Sequence, residues 1–200
     1  MAAAELRLLT PSSYLMAMPV TVPRYTIHDL ESFPDDGNRY ELLDGVLLVT
    51  PAPGMAHQAV LAGLFGRVLR YLEESADARA FSPGVIEIEP RNHLEPDLLV
   101  VPRQALPDEF RLDAKWSSIR EWWLAVDVSG TGSDIYDRDF KGPAYLAMGV
   151  LEYWRLDLQE RCLNRSRPGG PSEEPHPDSV TWLPPGRPVP LSISIPELFR

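Results

Sequence analysis

Two short apolar runs constrain this chain more tightly than anything else in it. They are Leu98–Val101, opened by Pro96-Asp97, and Trp122–Val128, which carries Asp127 near its end. Segments this apolar read as buried strands. A carboxylate in such a strand is costly to bury as a charge unless a cation or hydrogen bonds compensate it, so a fold that keeps both must bring compensating groups to them. Lys141 follows Asp127 in the next predicted helix. Two acids on buried strands with an amine downstream suggest a divalent-metal site with a lysine beside it, the set of groups that phosphodiester hydrolysis uses.

Around these runs the pattern alternates between helix and strand. Thr26 to Glu31 predicts a short helix with Thr26 as N-cap and Asp29 at the third helical position, and the turn-forming Pro34–Asn38 ends it. Tyr40–Leu43, Asp44-Gly45 and Val46–Thr50 predict a β-hairpin, since Asp-Gly suits a two-residue turn with positive φ. Leu61, Leu64, Phe65, Val68 and Leu72 share one helical face and predict a helix from about Met55 to Glu74. Val85–Glu89 alternates like a half-exposed strand, and the polar stretch Pro102–Ile119 is predicted irregular. A helix is expected around Asp139–Met148, leading through Gly149 into an aromatic-rich strand, Glu152–Leu158. The proline-rich Arg167–Pro190 predicts loop with one strand at Ser179–Leu183, followed by a short strand at Leu191–Ile195 and a terminal turn. Strands interspersed with helices predict an α/β or α+β domain with a mixed central sheet. Residues 1–22 show no periodicity and read as a flexible extension, which leaves residues 23–200 as a single domain.

The lone Cys162 excludes an internal disulfide framework. Glu5 and Arg7 interrupt any signal-peptide core, and no stretch approaches the ~20 apolar residues of a membrane span. The expectation is a soluble cytoplasmic protein. The net charge of −10 argues against tight nonspecific coating of nucleic acid, which draws its affinity from Lys and Arg. It does not exclude a nuclease, because a carboxylate site supplies several of those charges and its metal offsets them.

Each candidate also has a plain structural reading. Asp97 can cap backbone donors at a strand start, and Asp127 can end its strand in an ion pair. Lys141 can form a surface salt bridge with Asp137, four residues earlier on a helix. Glu41, inside the first hairpin strand, is either a third metal ligand or the exposed face of an edge strand. His57, at the start of the long helix, reads as a cap or packing residue. No His/Cys metal spacing, phosphate-binding Gly-rich loop or nucleophile elbow is present.

Several blocks nevertheless fall in a specific order. They are Tyr40–Gly45, Pro51-Ala52-Pro53 with His57-Gln58, Pro96-Asp97, and Asp127-Val128 followed by Tyr136-Asp137-Arg138, Lys141, Tyr145, Gly149-Val150 and Glu152-Tyr153-Trp154. In that order the chain resembles the Uma-two family within the PD-(D/E)XK nuclease superfamily. The resemblance spans roughly Tyr25 to Leu158, with a closing Pro-Glu-Leu-Phe at the end of the chain. It implies a restriction-endonuclease-like core, a mixed sheet flanked by helices. It implies that Asp97 is the first metal-binding aspartate and that Asp127 stands where the family usually has glutamate. The superfamily lysine two residues after that acid is replaced by Ser129, and the resemblance assigns its role to Lys141 on the following helix. Glu41 matches another acidic position near the family's site. Gly142-Pro143 departs from the family's pattern; since proline is tolerated only in the first turn of a helix, Lys141 is expected in that turn or just before it.

The reading that follows is a metal-dependent endonuclease that hydrolyses phosphodiester bonds of DNA. Asp97 and Asp127 would hold Mg²⁺ or Mn²⁺, Glu41 would be an outer or third ligand, and Lys141 would position the nucleophilic water. A homodimer is a natural partner arrangement, because cleavage of two strands often uses two sites. The alternatives are a catalytically inactive member of the same fold that binds nucleic acid or protein, and a hydrolase of a smaller phosphoester.

Overall fold

A computed structural model describes residues 22–108, 111–130 and 133–200. Apart from Val22, the predicted N-terminal extension lies outside the described residues. Thr26 starts α1 (Ile27–Leu30), and its backbone N–H and hydroxyl both donate to Asp29 Oδ2, at 2.7 and 2.8 Å. The predicted hairpin forms as β1 (Arg39–Leu43) and β2 (Val46–Thr50). Asp44 and Gly45 take φ of 48° and 77° at its turn, the left-handed pair that a tight hairpin of this twist requires. The long helix α2 runs Met55–Glu73 and buries Leu61, Leu64, Val68 and Leu72.

The remaining strands are β3 (Ala78–Phe81), β4 (Ile86–Ile88), β5 (Asn92–Leu94), β6 (Leu98–Pro102), β7 (Leu124–Ser129), β8 (Tyr153–Asp157), β9 (Cys162–Ser166), β10 (Glu174–His176), β11 (Ser179–Trp182) and β12 (Leu191–Ser194). They form a six-stranded sheet in the order β10-β9-β8-β7-β6-β3, a four-stranded sheet in the order β2-β1-β5-β4, and a β11-β12 pair. Only the β7–β8 pairing is parallel among the strand pairs of the six-stranded sheet. A parallel pair needs a crossover, and the helical segment between Asp134 and Met148 supplies it. The result is a mixed sheet with flanking helices.

Alternation along the central strands sorts two cores. Leu98, Val100, Leu124, Val126, Trp154 and Leu156 pack with α2 on one face. Leu99, Val101, Ala125 and Tyr153 face the other way and pack with Tyr145 and Val150. Side chains alternate faces along a strand, so Asp97 and Asp127 share this second face. The β6–β7 register pairs Leu98 with Val126, and one further step sets Asp97 opposite Asp127.

Three differences from the expected elements have local causes. The crossover helix begins at Asp134 rather than near Asp139: it runs through α3 (Asp134–Tyr136), a π-helical turn (Asp137–Lys141) and α4 (Gly142–Met148). Pro143 has no N–H to donate and its ring crowds the preceding turn. The wider turn, closed by the Gly142 N–H on the Asp137 carbonyl, lets the helix continue past it. Lys141 therefore stands just before the α4 turn that carries Pro143. Glu41 is not on an exposed edge, because β1 lies between β2 and β5 and Glu41 is buried. Strands β3, β5, β9 and β10 are short, and their sequences carry no alternation long enough to mark them.

Candidate active site

Lys141 is the centre of the arrangement. Its Nζ lies 3.0 Å from Asp127 Oδ1, 3.1 Å from Glu41 Oε1 and 3.6 Å from Asp137 Oδ1. All four side chains are buried, so the predicted Lys141–Asp137 pair exists but is not a surface pair. Ser129, two residues after Asp127, donates its hydroxyl to Asp137 Oδ2 at 2.8 Å. The Tyr153 hydroxyl lies 3.1 Å from Asp127 Oδ2 and 3.2 Å from the Asp137 carbonyl. Strand β7, strand β8 and the π turn are thus tied together through the polar cluster. Gly142 permits this closeness, since a Cβ there would sit 2.9 Å from Tyr153 Cε1.

Asp97 is held separately. Arg39 Nη2 donates to its Oδ1 at 3.0 Å, and the Val128 N–H donates to Oδ2 at 2.7 Å. His57 Nε2 lies 2.9 Å from the same Oδ2. Arg39 is itself oriented by the Glu95 carbonyl at 2.9 Å. The Glu95 N–H in turn donates to Glu41 Oε1 at 2.7 Å, so one residue of the β5–β6 connection braces both halves of the site.

The electrostatics follow from this packing. Burial works against an ionised Asp97, but the His57 hydrogen bond, the charges of Arg39 and His57 and the Val128 N–H outweigh it and hold the carboxyl below its usual range. Burial pushes Asp127 up to about 8; Lys141 opposes the rise, and Asp137, Asp97 and Glu41 add to it. Lys141 is held well above the usual amine value, because Asp127, Glu41 and Asp137 outweigh its desolvation. Both values rise, which keeps the amine charged and the acid neutral, and one reason covers both. Three carboxylates all favour the one ammonium, whereas each carboxylate receives only a share of it in dry surroundings.

The site opens on a cleft of about 280 Å³. Asp97, Asp127, Asp137, Lys141, Arg39 and His57 line it, together with Gly54 and Ala56 at the start of α2. Glu41 does not line it and stands behind Lys141. Of the sequence candidates, the structure therefore brings Asp97, Asp127 and Lys141 to one cleft and places Glu41 beneath it. Arg39, His57, Asp137 and Tyr153 join them. His57, Asp137 and Tyr153 fall in the sequence blocks; Arg39 does not, and it meets an acid 58 residues away with nothing local to signal that contact.

Carboxylate oxygens are suitable ligands for Mg²⁺ or Mn²⁺. The donor chemistry also fits: the four acids Glu41, Asp97, Asp127 and Asp137 outnumber the fixed cations Lys141 and Arg39, so a further cation would favour the ionised form of Asp127. Among the described residues no three His, Cys, Asp or Glu side chains converge as a ready-made cage. Mg²⁺ does not require one, since it commonly takes one or two carboxylates and completes its shell with waters and substrate oxygens.

A family described as "Putative restriction endonuclease", Uma2, matches residues 26–198. The fold is similar to that of an Anabaena variabilis protein, described as "a putative nuclease belonging to DUF820", with a TM-score of 0.69 and 18% identity over 87% of this chain and 97% of that one. At that identity the likeness speaks to the fold. No curated protein matches the chain. No described helix is long and apolar enough to cross a membrane.

Proposed function

The chain belongs to the Uma2 family, and from that premise we propose that it is a metal-dependent endonuclease that hydrolyses phosphodiester bonds of DNA. The observation that carries this reading is the buried Lys141, held between Asp127 and Glu41 and facing the cleft that Asp97 also lines. Burying an amine among this many acids is expensive, and such perturbed groups gather at functional sites.

Asp97 and Asp127 would hold Mg²⁺ or Mn²⁺, with Glu41 as an outer ligand. When bound, the ion supplies Lewis-acid chemistry, drawing charge from a phosphate oxygen and lowering the pKa of water. Lys141, kept protonated by its carboxylates, positions the water and stabilises charge that develops on the phosphate. Tyr153 holds the Asp127 carboxylate in place, and Arg39 and His57 hold that of Asp97. The start of α2 lies at the cleft, where first-turn N–H groups favour an anion.

The test is cleavage of DNA with Mg²⁺ or Mn²⁺ by the wild type, Asp97→Asn and Lys141→Ala. Each substitution is expected to lower the rate about a hundredfold or more. Equal rates in all three proteins reject the assignment. A second reading, a non-catalytic member of the fold that binds nucleic acid or a protein, draws support from the full partnering of Asp97. Calorimetric titration with Mn²⁺ separates the two: no binding near millimolar metal favours the inert reading.

A further inference from the structure

Beside the cleft lies a second, larger groove of about 570 Å³. Arg39, Pro51, Ala52 and Pro53 line both, so the two spaces are contiguous across the Arg39 guanidinium and the Pro51–Pro53 ridge. A small phosphoester needs only the cleft. The groove is extra room in continuity with it, about the size of a small-molecule pocket, which spans ~300–1,000 Å³.

Its lining is that of a base-binding surface. Ile27 and Leu30 supply one apolar wall, and Tyr40 supplies an aromatic one. The Tyr40 ring is backed by Phe33 in a stacked contact, 5.2 Å between centroids and 27° between planes, and Tyr25 braces Phe33 edge-on. The Tyr40 hydroxyl donates to Asp36 at 2.8 Å, which fixes the ring. Asn38, exposed at the groove, carries an amide that also hydrogen-bonds Asp36 and Tyr40, and Glu31 offers an acceptor. The groove's charges are mixed: Glu31 and Glu95 stand against Arg39 and His93, and His93 is itself held between Glu87 and Glu95. A surface that tracks phosphates needs surplus cations; this one has none. Apolar and aromatic walls with an amide and carboxylates around them suit the face and edge of a heterocycle.

We propose that this groove binds an unpaired nucleobase next to the phosphate held in the cleft. The substrate is then a polynucleotide with that base out of the stack, rather than a small phosphoester. The inference rests on the nuclease reading of the adjoining cleft. A base inside a duplex has both faces stacked and its pairing edge occupied, so it cannot lie against Tyr40. A single-stranded or mismatched base pays least to do so.

The test has two arms. In EDTA, where no cleavage intervenes, the protein is titrated with a short single-stranded oligonucleotide carrying 2-aminopurine and with the same sequence as a duplex. The single strand is expected to bind more tightly. Asn38→Ala should weaken that binding about fivefold to tenfold, and Tyr40→Leu about tenfold or more. Tyr40→Phe, which keeps the ring, should bind like the wild type. In Mn²⁺, Asn38→Ala should raise KM for the oligonucleotide while leaving hydrolysis of bis(4-nitrophenyl) phosphate unchanged. Asn38 is exposed, so this arm stands even if Tyr40→Leu does not fold. Duplex bound as tightly as single strand, or Asn38→Ala and Tyr40→Leu binding like the wild type, overturns the proposal. Cleavage with no effect of the variants removes the base groove and leaves the nuclease. Ring-dependent binding with no cleavage of any substrate keeps the groove and removes the nuclease.

Discussion

Lys141 and Arg155 are both buried cations, each set among three carboxylates, yet the two clusters differ in kind. Lys141 meets Glu41, Asp127 and Asp137, whose side chains are 1–5% exposed. Arg155 meets Asp134, Asp157 and Glu173, which are 15–30% exposed. The two lie close in the fold, since Arg155 is the registered partner of Asp127 across the parallel β7–β8 pair. Arg155 also engages Glu173 with both arms of its fork, at 2.7 and 3.0 Å. A guanidinium has five donors in a rigid plane and can serve several carboxylates, whereas an ammonium has three. Water reaches the Arg155 acids and screens their mutual repulsion; those of Lys141, with a few per cent of their surface open to the cleft, are screened far less. The number of acids is the same, and access to water makes one cluster a clamp and leaves the other strained.

The largest expected effect breaks this comparison if it fails. Lys141→Ala leaves three buried acids without their cation and should cost about 3–5 kcal/mol of stability in urea denaturation. Arg155→Ala frees acids that can turn to water, so its loss should be nearer 1–3 kcal/mol. Equal losses would mean that solvent access is not what separates the clusters.

The pH dependence sharpens it. Unfolded, Asp127 sheds its proton near the ordinary value of about 4; folded, it keeps the proton to about 8. Between those values the folded state binds more protons, so its contribution to stability falls as pH rises from about 4 through 8. Thermal melts of the metal-free protein should therefore decline across that window, and Asp127→Asn should flatten the decline. An unchanged slope would place the strain elsewhere.

Two smaller effects follow. Gly142→Ala puts a Cβ 2.9 Å from Tyr153 Cε1 and should cost about 1–3 kcal/mol as the ring shifts, loosening the hydroxyl from Asp127 and slowing cleavage with it. Asp134→Asn, at the wetter Arg155 cluster, should change the melting free energy by less than about 1 kcal/mol.

Much of the fold was legible beforehand. The Thr26/Asp29 cap, the Asp-Gly hairpin, the apolar face of α2 and the two buried strands all rest on local pattern, and each appears where its pattern lies. The short strands β3, β5, β9 and β10 were not legible, because their sequences carry no apolar run or turn signal of the kind that marks β1 and β2, and their neighbours in the sheet hold them in place. The π turn before Pro143 was half legible. Proline announced that the helix must adjust, but not that it would widen and continue.

The site divides along the same line. Residue type and spacing along the chain marked Asp97, Asp127 and Lys141, because a charge in an apolar strand demands a partner and the chain must supply one. Which partner each acid receives depends on contacts between residues far apart in the chain: Arg39 and His57 at Asp97, Glu41 behind Lys141, Ser129 and Tyr153 on the neighbouring acids. The exclusion of water that raises Asp127 is likewise a property of the assembled sheet and crossover helix. Local pattern sets where a strand or helix can form, since backbone preference and side-chain periodicity act over a few residues. Desolvation and ion pairing are set by what surrounds a group in three dimensions, and here that is what separates the Lys141 cluster from the Arg155 clamp beside it.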